Sequence, residues 1–232
     1  MKKKLLAIAG SPRKGGNTDL LLEESMRTAS QAGVETLLLR VSELKISPCT
    51  ACGSCWKTGE CVQQDDMQAV YAHLLDSHYI VIASPLYFMG VSAQLKALID
   101  RCQTLWARRY MLKKELRPPL RSAQGQAQAD QVRPRGLFIS TAALNKGDKI
   151  FQGSIQTVKA LFHVLGVEYK GEILCHGLEE KGAIQKNPEL LQKVRQATLQ
   201  LFEPLVLNHP GSGPTQSPLA GQASGAVNPL NP

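Results

Sequence analysis

Five short runs rich in aliphatic and β-branched residues, Leu5–Ala9, Val34–Leu39, Tyr79–Ala83, Gly136–Ser140 and Glu168–Cys175, alternate along this chain with five segments of helical period. In those segments apolar residues return every three or four positions: Leu22, Met26 and Ala29; Met67, Val70, Tyr71, Leu74 and Leu75; Val91, Leu95, Leu98 and Cys102; Phe151, Ile155, Val158, Phe162 and Leu165; Leu191, Val194, Thr198 and Leu201. Asn187-Pro188 gives the last helix a cap and a proline at its first position. Right-handed crossovers turn such a pattern into a doubly wound α/β fold, a five-stranded parallel sheet with helices on both faces. Ligands of such sheets gather beyond the carboxyl ends of the strands. The informative loops are therefore those after strands one, three and four, and anything unusual after strand two.

Charge and composition narrow the classes further. Uninterrupted apolar runs such as Ile80–Ala83 fall far below the roughly 18 to 20 residues needed to span a bilayer, so no membrane partner is expected. Lys2-Lys3-Lys4 before Leu5–Ala9 imitates an export signal, but five apolar residues are fewer than the roughly 7 to 15 of a signal core. The stretch reads as a buried first strand in a cytoplasmic protein. The net charge of +8 is concentrated between Ala107 and Arg135, where eight Lys or Arg face two acids beside Pro118-Pro119 and four Gln. This segment is expected to be a mobile, solvated basic insertion, with a docking patch for an acidic partner as the functional alternative; no nucleic acid is expected. From Asn208 to Pro232 the chain holds five Pro, four Gly and no charged side chain. Such a segment buries too little to offset its ordering entropy and is expected to be a disordered tail, 208–232, after a single domain over 1–207.

The first strand runs into Gly10-Ser11-Pro12-Arg13-Lys14-Gly15-Gly16-Asn17-Thr18 and then a helix. Backbone N–H groups, short hydroxyls and a helix N-terminus make an anion site. A nucleotide-triphosphate loop needs Gly-Lys-Ser/Thr at its end, and Gly15-Gly16-Asn17 stands there instead; the dinucleotide pattern G-x-G-x-x-G fails as well. What remains suits a single terminal phosphate.

Cys49, Cys52, Cys55 and Cys61 form a C-x2-C-x2-C-x5-C run between strand two and the second helix. Three thiolates within seven residues and a fourth soon after can converge on a cubane cluster, a spacing close to that of ferredoxins. Structural zinc more often takes two separated C-x2-C knuckles. A [4Fe–4S] cluster, zinc, and free or redox-active thiols all remain open on spacing. Cys102 on a helical stripe and Cys175 in a buried run read as core thiols. The five His residues show no metal-site spacing, and no Ser/His/Asp or paired-carboxylate arrangement assigns a catalytic residue.

Gly10–Thr18, Ser84-Pro-Leu-Tyr-Phe-Met-Gly90 after the third run and Gln94-Leu-Lys-Ala-Leu-Ile-Asp-Arg101 on the next helix resemble the NADPH-dependent FMN reductase family. The resemblance covers roughly residues 3 to 205 and implies a flavodoxin-like sheet of order 2-1-3-4-5. It implies that Ser11, Arg13, Asn17 and Thr18 hold the phosphate of FMN, and that Pro85, Leu86, Tyr87 and Phe88 lie along the flavin ring; aromatic and proline walls suit a flat apolar ring. By position, Ser140, Thr141 and Ala142 close the pocket. Pro48-Cys-Thr-Ala-Cys-Gly-Ser-Cys-Trp-Lys-Thr-Gly-Glu-Cys61, leading to Asp65-Asp66-Met67, resembles the iron–sulfur flavoproteins, a branch of the same family. This loop, 48–62, would carry the cluster on all four cysteines, with Trp56 either over the loop or packed in the core. The resemblance also implies a homo-oligomer, dimer or tetramer.

The leading expectation is an FMN-binding, flavin-dependent oxidoreductase with a [4Fe–4S] cluster, moving electrons between a ferredoxin-like acidic carrier and an acceptor. One alternative is an NAD(P)H-dependent FMN or quinone reductase, with NADPH as reductant and no working cluster. Another is a Cys-rich redox sensor or zinc-stabilised binding module. The want of acid–base machinery suits a flavin protein, since the cofactor carries the electron chemistry.

Overall fold

A computed structural model describes residues 2–117 and 133–203. The expected tail, 208–232, and the middle of the basic segment, 118–132, lie outside the described residues. In chain order the elements are β1 (Lys4–Ala9), α1 (Asn17–Gln31), β2 (Glu35–Arg40), α2 (Ser54–Thr58), α3 (Met67–Asp76), β3 (Tyr79–Pro85), α4 (Ala93–Arg101), α5 (Gln103–Trp106), β4 (Arg135–Thr141), α6 (Gln152–Leu165), β5 (Glu168–Cys175) and α7 (Pro188–Gln200).

All five strands pair in parallel in the order β2-β1-β3-β4-β5, the flavodoxin-like sheet that was expected. β1 and β4 flank β3, and these three strands are buried almost throughout, which is why they read as continuous apolar runs. β2 and β5 lie at the edges and alternate in exposure. One face of the sheet, with Leu5, Ala7, Val81, Leu137 and Ile139, packs under Leu21 and Leu22 of α1 and Val194 of α7. The other, with Leu6, Ile8, Ile80, Ile82 and Phe138, packs under Met67 and Leu74 of α3, Leu95 and Leu98 of α4, and Ile155, Val158 and Phe162 of α6. Each such side chain contributes on the order of 1.5 to 3 kcal/mol by leaving water. The cap expected at Asn187 is present: its Oδ1 accepts from the Leu190 N–H at 3.3 Å, with Pro188 opening α7. No helix among the described residues is long and apolar enough to cross a membrane.

The basic segment differs from the expectation of one mobile insertion over 107–135. Ala107–Met111 continues α5 as a π-helical turn, and Arg135 opens β4. Three of its arginines close helix ends. Arg117 donates to the carbonyls of Leu74 and Leu75 at 2.8 Å each and of Leu165 at 2.9 Å, ending α3 and α6 together. Arg109 donates to the carbonyls of His163 and Val164 at 2.9 and 3.0 Å, and Arg135 to that of Leu201 at 2.9 Å. Cations on the orphan carbonyls of a helix C-terminus satisfy both hydrogen bonding and the dipole. Charge density along the sequence looked like solvation because the carbonyls it serves lie elsewhere in the chain. Burial at this junction lowers the Arg117 pKa to about 10.

Candidate functional site

The carboxyl ends of β1, β3 and β4 are pinned together by serines. The Gly10 N–H donates to the Ala83 carbonyl at 2.7 Å, and a Cβ on Gly10 would stand 2.9 Å from that oxygen and from Leu95 Cδ2, so this exit requires glycine. Ser92 donates to the Gly10 carbonyl at 2.5 Å and caps α4 by accepting from the Leu95 N–H at 3.3 Å. Ser140 donates to the Ser84 carbonyl at 2.9 Å. Ser92 was missed in the sequence; its one signal is a serine just before a helical period.

The first loop is built largely against itself. Ser11 Oγ accepts from the Arg13 N–H at 3.2 Å and returns a bond to the Arg13 carbonyl at 3.3 Å, closing a tight turn that leaves Arg13 exposed. Gly15 takes a left-handed φ of +64°, and its N–H donates at 3.0 Å to Asp19, a buried carboxylate paired at 2.5 Å with Arg40. Neither Asp19 nor Arg40 was foreseen. Thr18 and Thr141 share a hydroxyl hydrogen bond of 2.7 Å, so the third loop does close on the first. Leu86 N–H meets the Thr141 carbonyl at 2.8 Å, and Ala142 N–H meets that of Cys175 at 2.8 Å.

Asn17 has a different role from the expected phosphate contact. Its Nδ2 donates to the carbonyls of Leu178 and Glu180 at 3.3 and 2.7 Å, and its Oδ1 accepts from the Ile184 N–H at 3.1 Å. The buried amide is thus occupied in holding the loop after β5 against the first loop. The Thr18 hydroxyl, the N-terminal N–H groups of α1 and the Arg13 guanidinium form a donor set whose chemistry fits a phosphate, while Ser11 spends its hydroxyl on the turn.

At the end of β3 and just past it, Pro85 and Leu86 are half-buried while Tyr87, Phe88 and Met89 are exposed. Tyr87 and Gly90 exchange backbone bonds of 2.9 Å around a two-residue turn in which Phe88 and Met89 both take positive φ, 47° and 62°. That backbone normally selects Asn-Gly. Two bulky residues held there keep an apolar tip, with Leu144 from the next loop also exposed, at the end of the sheet where ligands bind.

Cys49, Cys52, Cys55 and Cys61 all line one cavity of about 310 Å³, together with Trp56, Gln63, Arg101 and Thr104. Trp56 lies half-exposed on its wall rather than in the core. Backbone and hydroxyl donation from Ser54 lowers the Cys52 thiol, whereas burial, then the charge of Cys49, pushes Cys55 up. Arg101, fully buried, donates to the Ser47 carbonyl at 2.8 Å, Gln63 Oε1 at 3.1 Å and Asp65, which fastens both stems of the cysteine loop to α4. Among the described residues no three His, Cys, Asp or Glu side chains stand close enough to hold one metal ion. A cubane cluster places each thiolate on a different iron, so four thiols spread around a cavity beside a buried cation fit that donor chemistry better than one tetrahedral ion. Cys102 and Cys175 are buried thiols, pushed up by burial to about 12 and about 11.

A family model described as NADPH-dependent FMN reductase matches residues 3–147. An iron–sulfur flavoprotein of Archaeoglobus fulgidus is 41% identical over 98 residues, 42% of this chain and 44% of that protein. A putative NAD(P)H-dependent FMN-containing oxidoreductase of Bacillus subtilis, YwqN, is 27% identical over 175 residues, 75% of this chain and 85% of that one. The chain spans about half the length of the curated iron–sulfur flavoproteins it matches. Among solved structures, an NAD(P)H:quinone oxidoreductase from Methanothermobacter marburgensis superposes with a TM-score of 0.58 at 13% identity, covering 88% of this chain and 98% of that one, a likeness of fold.

Proposed function

This chain belongs to the NADPH-dependent FMN reductase family, and from that premise we propose that it is an FMN-binding cytoplasmic oxidoreductase that also holds a [4Fe–4S] cluster on Cys49, Cys52, Cys55 and Cys61, takes electrons from an acidic, ferredoxin-like carrier and reduces an acceptor. The observation that carries this reading is the convergence of all four thiols on one cavity, in a loop that leaves the same end of the sheet as the phosphate loop. The names borne by iron–sulfur flavoprotein relatives support it.

When bound, FMN supplies one- and two-electron chemistry and the cluster one-electron chemistry. The chain's own residues do the rest. Thr18, Arg13 and the N-terminus of α1 hold the phosphate; Thr141 orients Thr18. Tyr87, Phe88 and Met89 present apolar surface to the flat ring, and this same tip gives a homo-oligomer a contact face. Arg101 places a fixed positive charge beside the thiolates, which offsets the negative charge they bring. Arg108 donates to the Gly59 carbonyl of the cysteine loop and Lys114 N–H bonds to the Arg108 carbonyl, so exposed Lys113 and Lys114 stand with Lys57 on the cysteine side of the molecule. Such a rim suits an acidic carrier.

Anaerobic purification, with iron, acid-labile sulfide and flavin measured together, tests the proposal. Iron and sulfide accompanying FMN are expected, with Cys52→Ser and Cys55→Ser losing both inorganic elements and keeping FMN. Flavin with no iron after anaerobic reconstitution would leave a plain NAD(P)H-dependent reductase, the reading that the YwqN likeness favours. Zinc in place of iron would point to a binding module.

A further inference from the structure

The first loop carries no lysine at the position where a triphosphate loop has one, but the fold brings an ammonium group beside Gly15 from the loop after β5. Lys181 belongs to the loop between β5 and α7, and its Nζ lies 3.6 Å, its Cε 3.5 Å, from where a Cβ of Gly15 would be. The placement is built. Asn17, itself buried, clamps that loop on both sides of Lys181 through the carbonyls of Leu178 and Glu180 and the N–H of Ile184, and Ile184 is fully buried. Leu178 N–H further meets the Ala142 carbonyl at 3.0 Å, and the chain turns past Lys181 at Gly182 with a left-handed φ of +82°.

The neighbouring charges have partners of their own. Lys14 pairs with Glu43, and Asp19 with Arg40. Glu179 and Glu180 flank Lys181 in sequence and are exposed, but among the described residues Lys181 makes no ion pair with them or with any other carboxylate. Exposed and without a carboxylate of its own, this ammonium stands beside Gly15, next to the start of α1 with its orphan N–H groups, where an anion would complete the set.

We infer that Lys181 is a phosphate-binding residue of the first loop, supplied by the loop after β5, and that it makes the site selective for a phosphorylated flavin over the bare one. This rests on the FMN reading above. Lys181 lies beyond residues 3–147, the span that the family model matches.

The test is titration of the flavin-free protein with FMN and with riboflavin, followed by flavin fluorescence at low and at physiological salt, for the wild type, Lys181→Gln and Lys181→Glu. Wild type should prefer FMN. Lys181→Gln should weaken FMN roughly ten-fold at low salt, Lys181→Glu more, and neither should change riboflavin; the differences should shrink as salt screens them. Inorganic phosphate should compete with FMN more weakly in both variants than in the wild type. A wild type that prefers FMN while both variants match it would overturn the role of Lys181 and leave the FMN reading standing. Equal losses of both flavins would show that Lys181 only shapes the loop. A wild type indifferent to the phosphate would overturn the underlying reading and this inference with it.

Discussion

The guanidinium of Arg101 grips the carboxylate of Asp65 with both prongs, Nη1 to Oδ2 at 2.6 Å and Nη2 to Oδ1 at 3.1 Å. Arg101 belongs to the helix that follows the Tyr87–Gly90 turn, and Asp65 to the far stem of the cysteine loop, so one pair couples the two candidate cofactor regions. Burial pushes the Asp65 carboxyl up, but the Arg101 hydrogen bonds and the N–H groups of Ser47 and Met67 outweigh it and hold it below its usual range.

Arg101→Met would leave Asp65 partly buried beside no cation. Breaking a buried pair from one side costs about 3 to 5 kcal/mol. Urea unfolding should show that loss, and Arg101→Met with Asp65→Leu should recover most of it. Arg101→Lys keeps the charge but loses the fork, so iron should be stripped by a chelator several-fold faster while FMN stays. A single variant as stable as wild type would show that the pair does not hold the loop.

Asn17→Ala removes three hydrogen bonds at one stroke. At about 1 kcal/mol each, with more where a buried carbonyl is left unpaired, the expected loss is about 2 to 4 kcal/mol. Hydrogen exchange checks the location: protection at the Ile184 amide should fall while that of β3 falls only with global stability. FMN should weaken as well, because the loop carrying Lys181 is released.

Glu24 joins α1 to α7 through Arg195 and to its own helix through Arg27 at 2.5 and 3.1 Å. Burial raises its pKa, yet the hydrogen bonds from Arg27 and Arg195 outweigh burial and hold it below the ordinary Glu range. A carboxylate lowered by folding stabilises the protein above its unfolded pKa and loses that contribution as pH falls through the folded one. Glu24→Gln should therefore cost roughly 1 to 3 kcal/mol at pH 7, and the gap to wild type should close below the ordinary Glu pKa of about 4.3. Denaturant midpoints at both pH values decide; a gap independent of pH would mean that packing, not charge, sets the cost.

Met89→Gly places glycine where φ is 62°. Relief of the left-handed strain should raise stability by roughly 1 kcal/mol, less the backbone entropy of glycine. A higher melting temperature with weaker flavin binding is expected, since the apolar tip becomes smaller and looser. Unchanged binding would separate the tip from the flavin site.

Much of this protein is local in origin. The five strands follow from short aliphatic and β-branched runs and the major helices from an apolar period of three to four, because burial demands those patterns whatever the element packs against. Parallel pairing follows from alternation, the strand order from the family resemblance, and the four cysteines stand so close in sequence that any compact path for Pro48–Cys61 keeps them together. The rest is decided by chain segments meeting. The family resemblance puts Asn17 on the phosphate, and only the arrival of a loop 163 residues away takes up its amide. Thr18 finds Thr141 across 123 residues. The arginines of the basic segment looked solvated because the carbonyls they cap belong to α3, α6 and α7. Lys181 in Glu-Glu-Lys-Gly has no pattern around it at all. Hydrogen bonds and charges act over a few ångströms of space and carry no period along the chain, so these partners exist only once the sheet has brought its carboxyl-end loops together.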